Sequence, residues 1–103
     1  MRARRVDVAA LVVEVEIRLE RLRQDLLVRD GTFPFNCSDA GVPSAVKLAI
    51  LVEEIGEVAK EIYEMQSGYI RYERLRVELV QVAAVAVAWL ESLQTKPEVG
   101  CGA

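Results

Sequence analysis

Apolar residues recur every three to four positions in three long stretches of the chain, and turn-forming residues separate the stretches. In the first, Val8, Leu11, Val12, Val15, Leu19, Leu22 and Leu26 keep helical spacing, which predicts a helix from about Val6 to Val28. The segment "RDGTFPFNCSDAGVPS" follows, with Gly31, Pro34, Asn36, Gly41 and Pro43, and reads as a loop. Ser44 is placed to cap a second helix, about Ala45 to Gln66, with the stripe Leu48, Leu51, Val52, Ile55, Val58, Ala59 and Ile62. Gly68 in "QSGY" suits the position just past a helix end. A third helix is expected from about Ile70 to Leu93, and "QTKPEVGCGA" reads as a frayed tail.

The third helix departs from the amphipathic pattern. Between Leu79 and Leu90 its one polar residue is Gln81, with Glu78 three positions earlier. Valines favour strands, but the interspersed alanines and leucines and the length of the run favour helix. A helix apolar nearly all round belongs at the centre of a bundle, covered on every side. The expected architecture is therefore an all-α, antiparallel helical bundle. A single domain spans residues 1–94, with a flexible tail at 95–103. Three helices from one chain barely achieve that cover, so a partner chain is expected to complete a four-helix or larger bundle.

Composition strengthens that expectation. The chain has 103 residues, 52% hydrophobic and 28% charged, with a mean hydropathy of +0.20. A domain this small has too much surface for its volume to hide so much apolar side chain alone. A membrane span is the rival explanation, but the apolar run from Val82 to Leu90 is far short of the ~20 residues a spanning helix needs. The start is basic and then apolar, yet Asp7, Glu14 and Glu16 interrupt it and no small-residue cleavage site follows. It reads as an amphipathic helix of a cytoplasmic protein, with no membrane partner. A net charge of −3 gives no support for a nucleic-acid partner. The arginines before residue 25 form a local basic patch that Asp7, Glu14, Glu16 and Glu20 can neutralise. Cys37 and Cys101, without any histidine, cannot complete a structural zinc site. Free thiols are expected, with a disulfide between them left open.

Chemistry enters with "EEIGEVAKE" on the second helix. Glu53, Glu54 and Glu57 fall within an arc of about 100° and repel one another. A divalent cation would give the cluster a purpose, since Mg²⁺ and Mn²⁺ prefer carboxylate oxygen. A plainer account is a solvated face on which Lys60 pairs with Glu57 or Glu64. The third helix adds Glu78 and Gln81 on one face, with Arg71 and Arg74 extending the stripe toward its start. Antiparallel packing can bring Glu78 opposite Glu54 and Glu57. The plainer account here is a Glu78–Arg74 surface pair and a core hydrogen bond from Gln81.

The order "KLAILVEEIGEVAKEI", loop, "RLRVELVQVAAVAVAWLESL" resembles the MazG-type all-α nucleotide pyrophosphohydrolases. Their hallmark is E-E-x-x-E on one helix and E-x-x-D on the next, with magnesium between. The likeness covers Lys47 to Leu93, about half the chain. It implies Glu54, Glu57 and Glu78 as metal ligands, with Glu53 as a ligand through water or as the group that deprotonates the attacking water. The family's aspartate position falls on Gln81, whose amide oxygen can bind magnesium but lacks charge and cannot act as a base. The implied reaction is hydrolysis of a nucleoside triphosphate to a monophosphate and pyrophosphate, with Mg²⁺ (or Mn²⁺) and a homodimer or homotetramer. Lys47, Lys60, Arg71 and Arg74 are the nearest candidates to hold phosphates, each equally suited to a plain salt bridge. Phe33, Phe35 or Trp89 can line a base pocket, Trp89 being better suited to the core. Because of Gln81, a non-catalytic module that binds metal or nucleotide is the alternative. A purely structural oligomer is a third reading.

Overall fold

The computed structural model describes residues 7–66, 68 and 72–94. Within them lie three helices, α1 (Val8–Arg29), α2 (Ser44–Gln66) and α3 (Tyr72–Gln94), and no strand. The basic start at Arg2, Arg4 and Arg5, together with Arg71, Cys101 and the tail at 95–103, lies outside the described residues.

Local chemistry sets the helix ends. Asp7 Oδ1 accepts the Ala10 N–H at 3.2 Å and caps α1, while the expected start at Val6 lies outside the described residues. At its far end Gly31 takes φ +84°, a left-handed conformation that glycine adopts without steric cost. The Pro43 carbonyl accepts the first bonds of α2, from the amides of Val46 and Lys47 at 3.0 and 3.2 Å. The cap is thus one residue earlier than Ser44, and Ser44 is the first helical residue.

Side-chain pairs fix the directions. Lys47 meets Ser92 and Glu61 meets Arg74, so α2 and α3 run antiparallel. Glu16 bonds Arg76 and Arg21 bonds Glu91, so α1 runs in the same sense as α3. The third helix packs on both others, whereas the Cα atoms of α1 and α2 nowhere come within 8 Å of each other. The central placement of α3 therefore holds. Its core contribution is narrow: Val85 and Ala88 are buried with Cys37, a free thiol, Ile50 and Leu51 pack alongside, and Ala84 is buried as well.

The full coverage expected for α3 is not reached within one chain. Leu90 and Leu93 are 59% and 62% exposed. The stripe expected to bury α1 points outward; Leu19 and Leu26 are 59% and 60% exposed. Arg21 explains the rotation. Its buried guanidinium reaches Glu91 and Asn36, which turns that side of the helix inward. On α2 the expected stripe divides. Leu51 and Val58 are half-buried, while Leu48, Val52, Ile55 and Ile62 are exposed, because Lys47, Glu54 and Glu61 occupy the inward side. By length and composition α3 is the described helix apolar enough to cross a bilayer, with mean hydropathy 1.3 over its most apolar window.

Candidate functional site

A cavity of ≈ 570 Å³ lies where α1, the connecting loop, α2 and α3 meet. Val28, Phe33, Phe35, Ile50 and Val85 are among its apolar lining residues, and Glu20, Arg23, Glu53, Glu54 and Gln81 are among its polar ones. A volume in the few-hundred-Å³ range, mostly apolar with a few convergent polar groups, is the usual form of a small-molecule site.

The loop wall of this cavity is held by hydrogen bonds. Phe33 N donates to Leu27 O at 3.0 Å, and Thr32 N donates to Asp30 Oδ1 at 2.9 Å. The Thr32 side chain first, and then this backbone N–H, hold the exposed Asp30 carboxyl below its ordinary value. Asn36 Oδ1 accepts from Arg21 Nη1 at 3.3 Å and from Ser38 N at 3.1 Å, and Asn36 Nδ2 donates to Asp25. The same Arg21 donates to Gln24 Oε1 at 3.1 Å and, from Nε and Nη2, to Glu91 Oε1 at 3.2 and 2.8 Å. Thus one buried cation ties α1, the loop and α3 together. Next to it, burial pushes the Cys37 thiol up, against the opposing pull of Lys47 and Arg21.

Beside Glu54, the Gln81 amide is assigned with its nitrogen toward two carboxylates, because that orientation alone satisfies both of its polar atoms. Its Nε2 donates to Glu78 Oε2 at 2.9 Å and to Glu54 Oε2 at 3.2 Å; the reverse orientation would set the amide oxygen against acceptors alone. The structure therefore brings Glu54, Glu78 and Gln81 to one point, as antiparallel packing of the two motifs requires. Burial raises the Glu54 carboxyl, and the charges of Glu78, Glu53, Glu20 and Glu57 add to it. Burial also raises Glu78, with Glu57, Glu61 and Glu20 adding and Arg74 opposing. Glu53 is exposed on the cavity rim, and Glu57 is exposed close enough to act on both carboxylates. Among the described residues no three acidic or thiol side chains surround a single point. The convergent set is two carboxylates and one amide.

The four cations fare differently. Lys47 is 2% exposed and its Nζ donates to Ser92 Oγ at 2.7 Å, which removes it from the cavity. Its position at the start of α2, opposite the end of α3, turns it into the helix interface. Arg74 Nη1 lies 3.9 Å from Glu61 Oε1, and Lys60 is exposed on α2; neither lines the cavity. Arg71 lies outside the described residues. Trp89 is half-buried and its carbonyl accepts from Ser92 Oγ at 2.6 Å, so it belongs to the packing of α3, while Phe33 and Phe35 do line the cavity. Sequence reasoning passed over Glu20 and Arg23. Their i,i+3 spacing looks like any helix-surface pair, and nothing in the sequence signals that this turn of α1 lies beside Glu54.

Fold and site together define a small all-α protein with a carboxylate–amide cluster at the mouth of an apolar-walled cavity. No protein-family model, curated protein or solved structure matches the chain.

Proposed function

We propose that the cavity is the active site of a magnesium-dependent nucleoside triphosphate pyrophosphohydrolase of MazG-like type, cleansing the cytoplasmic pool of unwanted nucleotides. The observation that carries this reading is the meeting of Glu54, Glu78 and Gln81, from two helices, with Glu54 and Gln81 also lining a cavity to which Phe33 and Phe35 contribute. The donor set is hard oxygen, which suits Mg²⁺ and accommodates Mn²⁺. Glu54 and Glu78 would hold the ion, with Glu57 adding charge and Gln81 contributing its oxygen after a half-turn of the amide. The bound ion supplies charge neutralisation on the phosphates.

The chain's own residues do the rest. Phe33 and Phe35 pack against the base, and the apolar wall excludes water from that end. Glu53, exposed on the rim, orients a water and takes its proton as the water oxygen bonds to the α-phosphorus. The bond from that phosphorus to the α–β bridging oxygen breaks, and pyrophosphate leaves with the bridging oxygen. The uncovered apolar faces of α1, α2 and α3 support a homodimer or homotetramer in which copies cover them.

One observation favours a second reading, a non-catalytic metal- or nucleotide-binding module. The Gln81 amide already bridges Glu54 and Glu78 where a cation is needed, and does so with hydrogen bonds to two carboxylates. One assay separates the two. The protein is incubated with each nucleoside and deoxynucleoside triphosphate and Mg²⁺ or Mn²⁺, and pyrophosphate is measured. Pyrophosphate release by the wild type is expected, with the Glu54→Ala, Glu57→Ala double variant at background. Equal release by the two proteins would sink the enzyme reading.

A further inference from the structure

We infer that Arg23 is the phosphate-binding residue of this cavity and that Glu20 is a positioning residue holding its guanidinium in place. The assignment rests on reading the cavity as a triphosphate site, and it names a cation that neither motif contains. Among the described residues lining the cavity, Arg23 alone is cationic. A triphosphate approaching Glu53 and Glu54 meets like charge on that rim, so a cation on the opposing α1 wall is what admits it.

The local geometry is suited to that task. Arg23 Nε and Nη2 donate to Glu20 Oε1 and Oε2 at 2.8 and 2.7 Å, a two-point fork that fixes the guanidinium plane. Gln24 Nε2 donates to the same carboxylate at 3.3 Å and steadies it further. The Glu20 side chain is 12% exposed and that of Arg23 51%, so the anchor is interior and the cation is presented outward. The fork occupies Nε and Nη2 and leaves the two N–H groups of Nη1 outside it. Those donors suit phosphate oxygens, which a guanidinium binds at two points. Glu54 acts on Arg23 as well, which places the pair at the edge of the acidic cluster.

Binding measurements test the assignment without relying on turnover. The probes are Mn²⁺ alone and an α,β-imido deoxynucleoside triphosphate with Mg²⁺, in its four common-base forms. Arg23→Ala is expected to weaken triphosphate binding by roughly ten- to hundredfold, the worth of a charge-assisted contact, while Mn²⁺ binding stays at the wild-type level. Arg23→Lys should recover part of the loss, and Glu20→Gln should weaken binding in the same direction but less. Wild-type triphosphate affinity in Arg23→Ala, with the Glu54→Ala, Glu57→Ala protein impaired, would overturn the Arg23 assignment and leave the metal–nucleotide reading standing. Tighter binding in Glu20→Gln would show that Glu20 acts by repulsion, which overturns its positioning role. If the wild type binds neither Mn²⁺ nor the triphosphate, both this inference and the reading beneath it fall.

Discussion

Replacing Gln81 with Asp is expected to tighten Mg²⁺ and Mn²⁺ binding by roughly ten- to a hundredfold and to destabilise the metal-free protein by about 1–3 kcal/mol. Both effects have one origin. In the wild type an ion must displace the Gln81 N–H groups from Glu78 and Glu54, which they reach at 2.9 and 3.2 Å. Asp removes that competition and adds a charge, but without metal it leaves three carboxylates where two shared a donor. The pH dependence follows. Burial and neighbouring charge hold Glu54 and Glu78 above their ordinary values, so the fold penalises their ionised forms. Their contribution to stability is full below the ordinary carboxylate range, about pH 4, and is lost as pH rises through the raised values. With chelator, the Asp variant should therefore lose melting temperature more steeply than wild type between pH 4 and neutrality, and saturating Mn²⁺ should abolish the difference. Unchanged Mn²⁺ affinity in the variant would remove Gln81 from the site.

Arg21→Ala should cost about 2–4 kcal/mol, the largest stability loss expected of any substitution on α1. Arg21 is buried and donates to Glu91, Gln24, Asp25 and Asn36. Its removal strands groups on three elements at once. The exposure of Glu91 keeps the loss below that of a fully enclosed ion pair, since water can replace part of what Glu91 loses. Arg21→Lys retains charge but not the fork, and is expected to restore less than half. Urea unfolding measures the change, and amide exchange across residues 33–38 should speed up selectively. A loss under about 1 kcal/mol, or unaltered exchange in that loop, would contradict the role of Arg21 as the tie between α1, the loop and α3.

The sequence carries the three helices clearly, because their apolar period is long and breakers such as Gly31, Pro43 and Gly68 separate them. The meeting of Glu54 with Glu78 and Gln81 was equally open to reading, since two motifs on antiparallel neighbours at short separation leave little choice of register. Other features depend on contacts that periodicity does not encode. The outward face of α1 follows from Arg21 reaching Glu91, seventy residues away. Lys47 looks as solvent-ready as Lys60 in the sequence, and only the crossing of α2 and α3 sets it against Ser92. The order of the loop comes from Asn36 meeting Arg21 and Asp25. Glu20 and Arg23 needed knowledge of which turn of α1 faces the acidic helix.

The uncovered leucines of α1 and α3 also bear on what stability means for this chain. If copies of the chain cover Leu19, Leu26, Leu90 and Leu93, folding and association become one equilibrium governed by mass action. Unfolding free energy is then no fixed property of the polypeptide. For a dimer it grows by about 1.4 kcal/mol with each tenfold rise in protein concentration. Dilution would act on such a protein as a denaturant does, and its abundance in the cell would set how much of it holds a formed cavity.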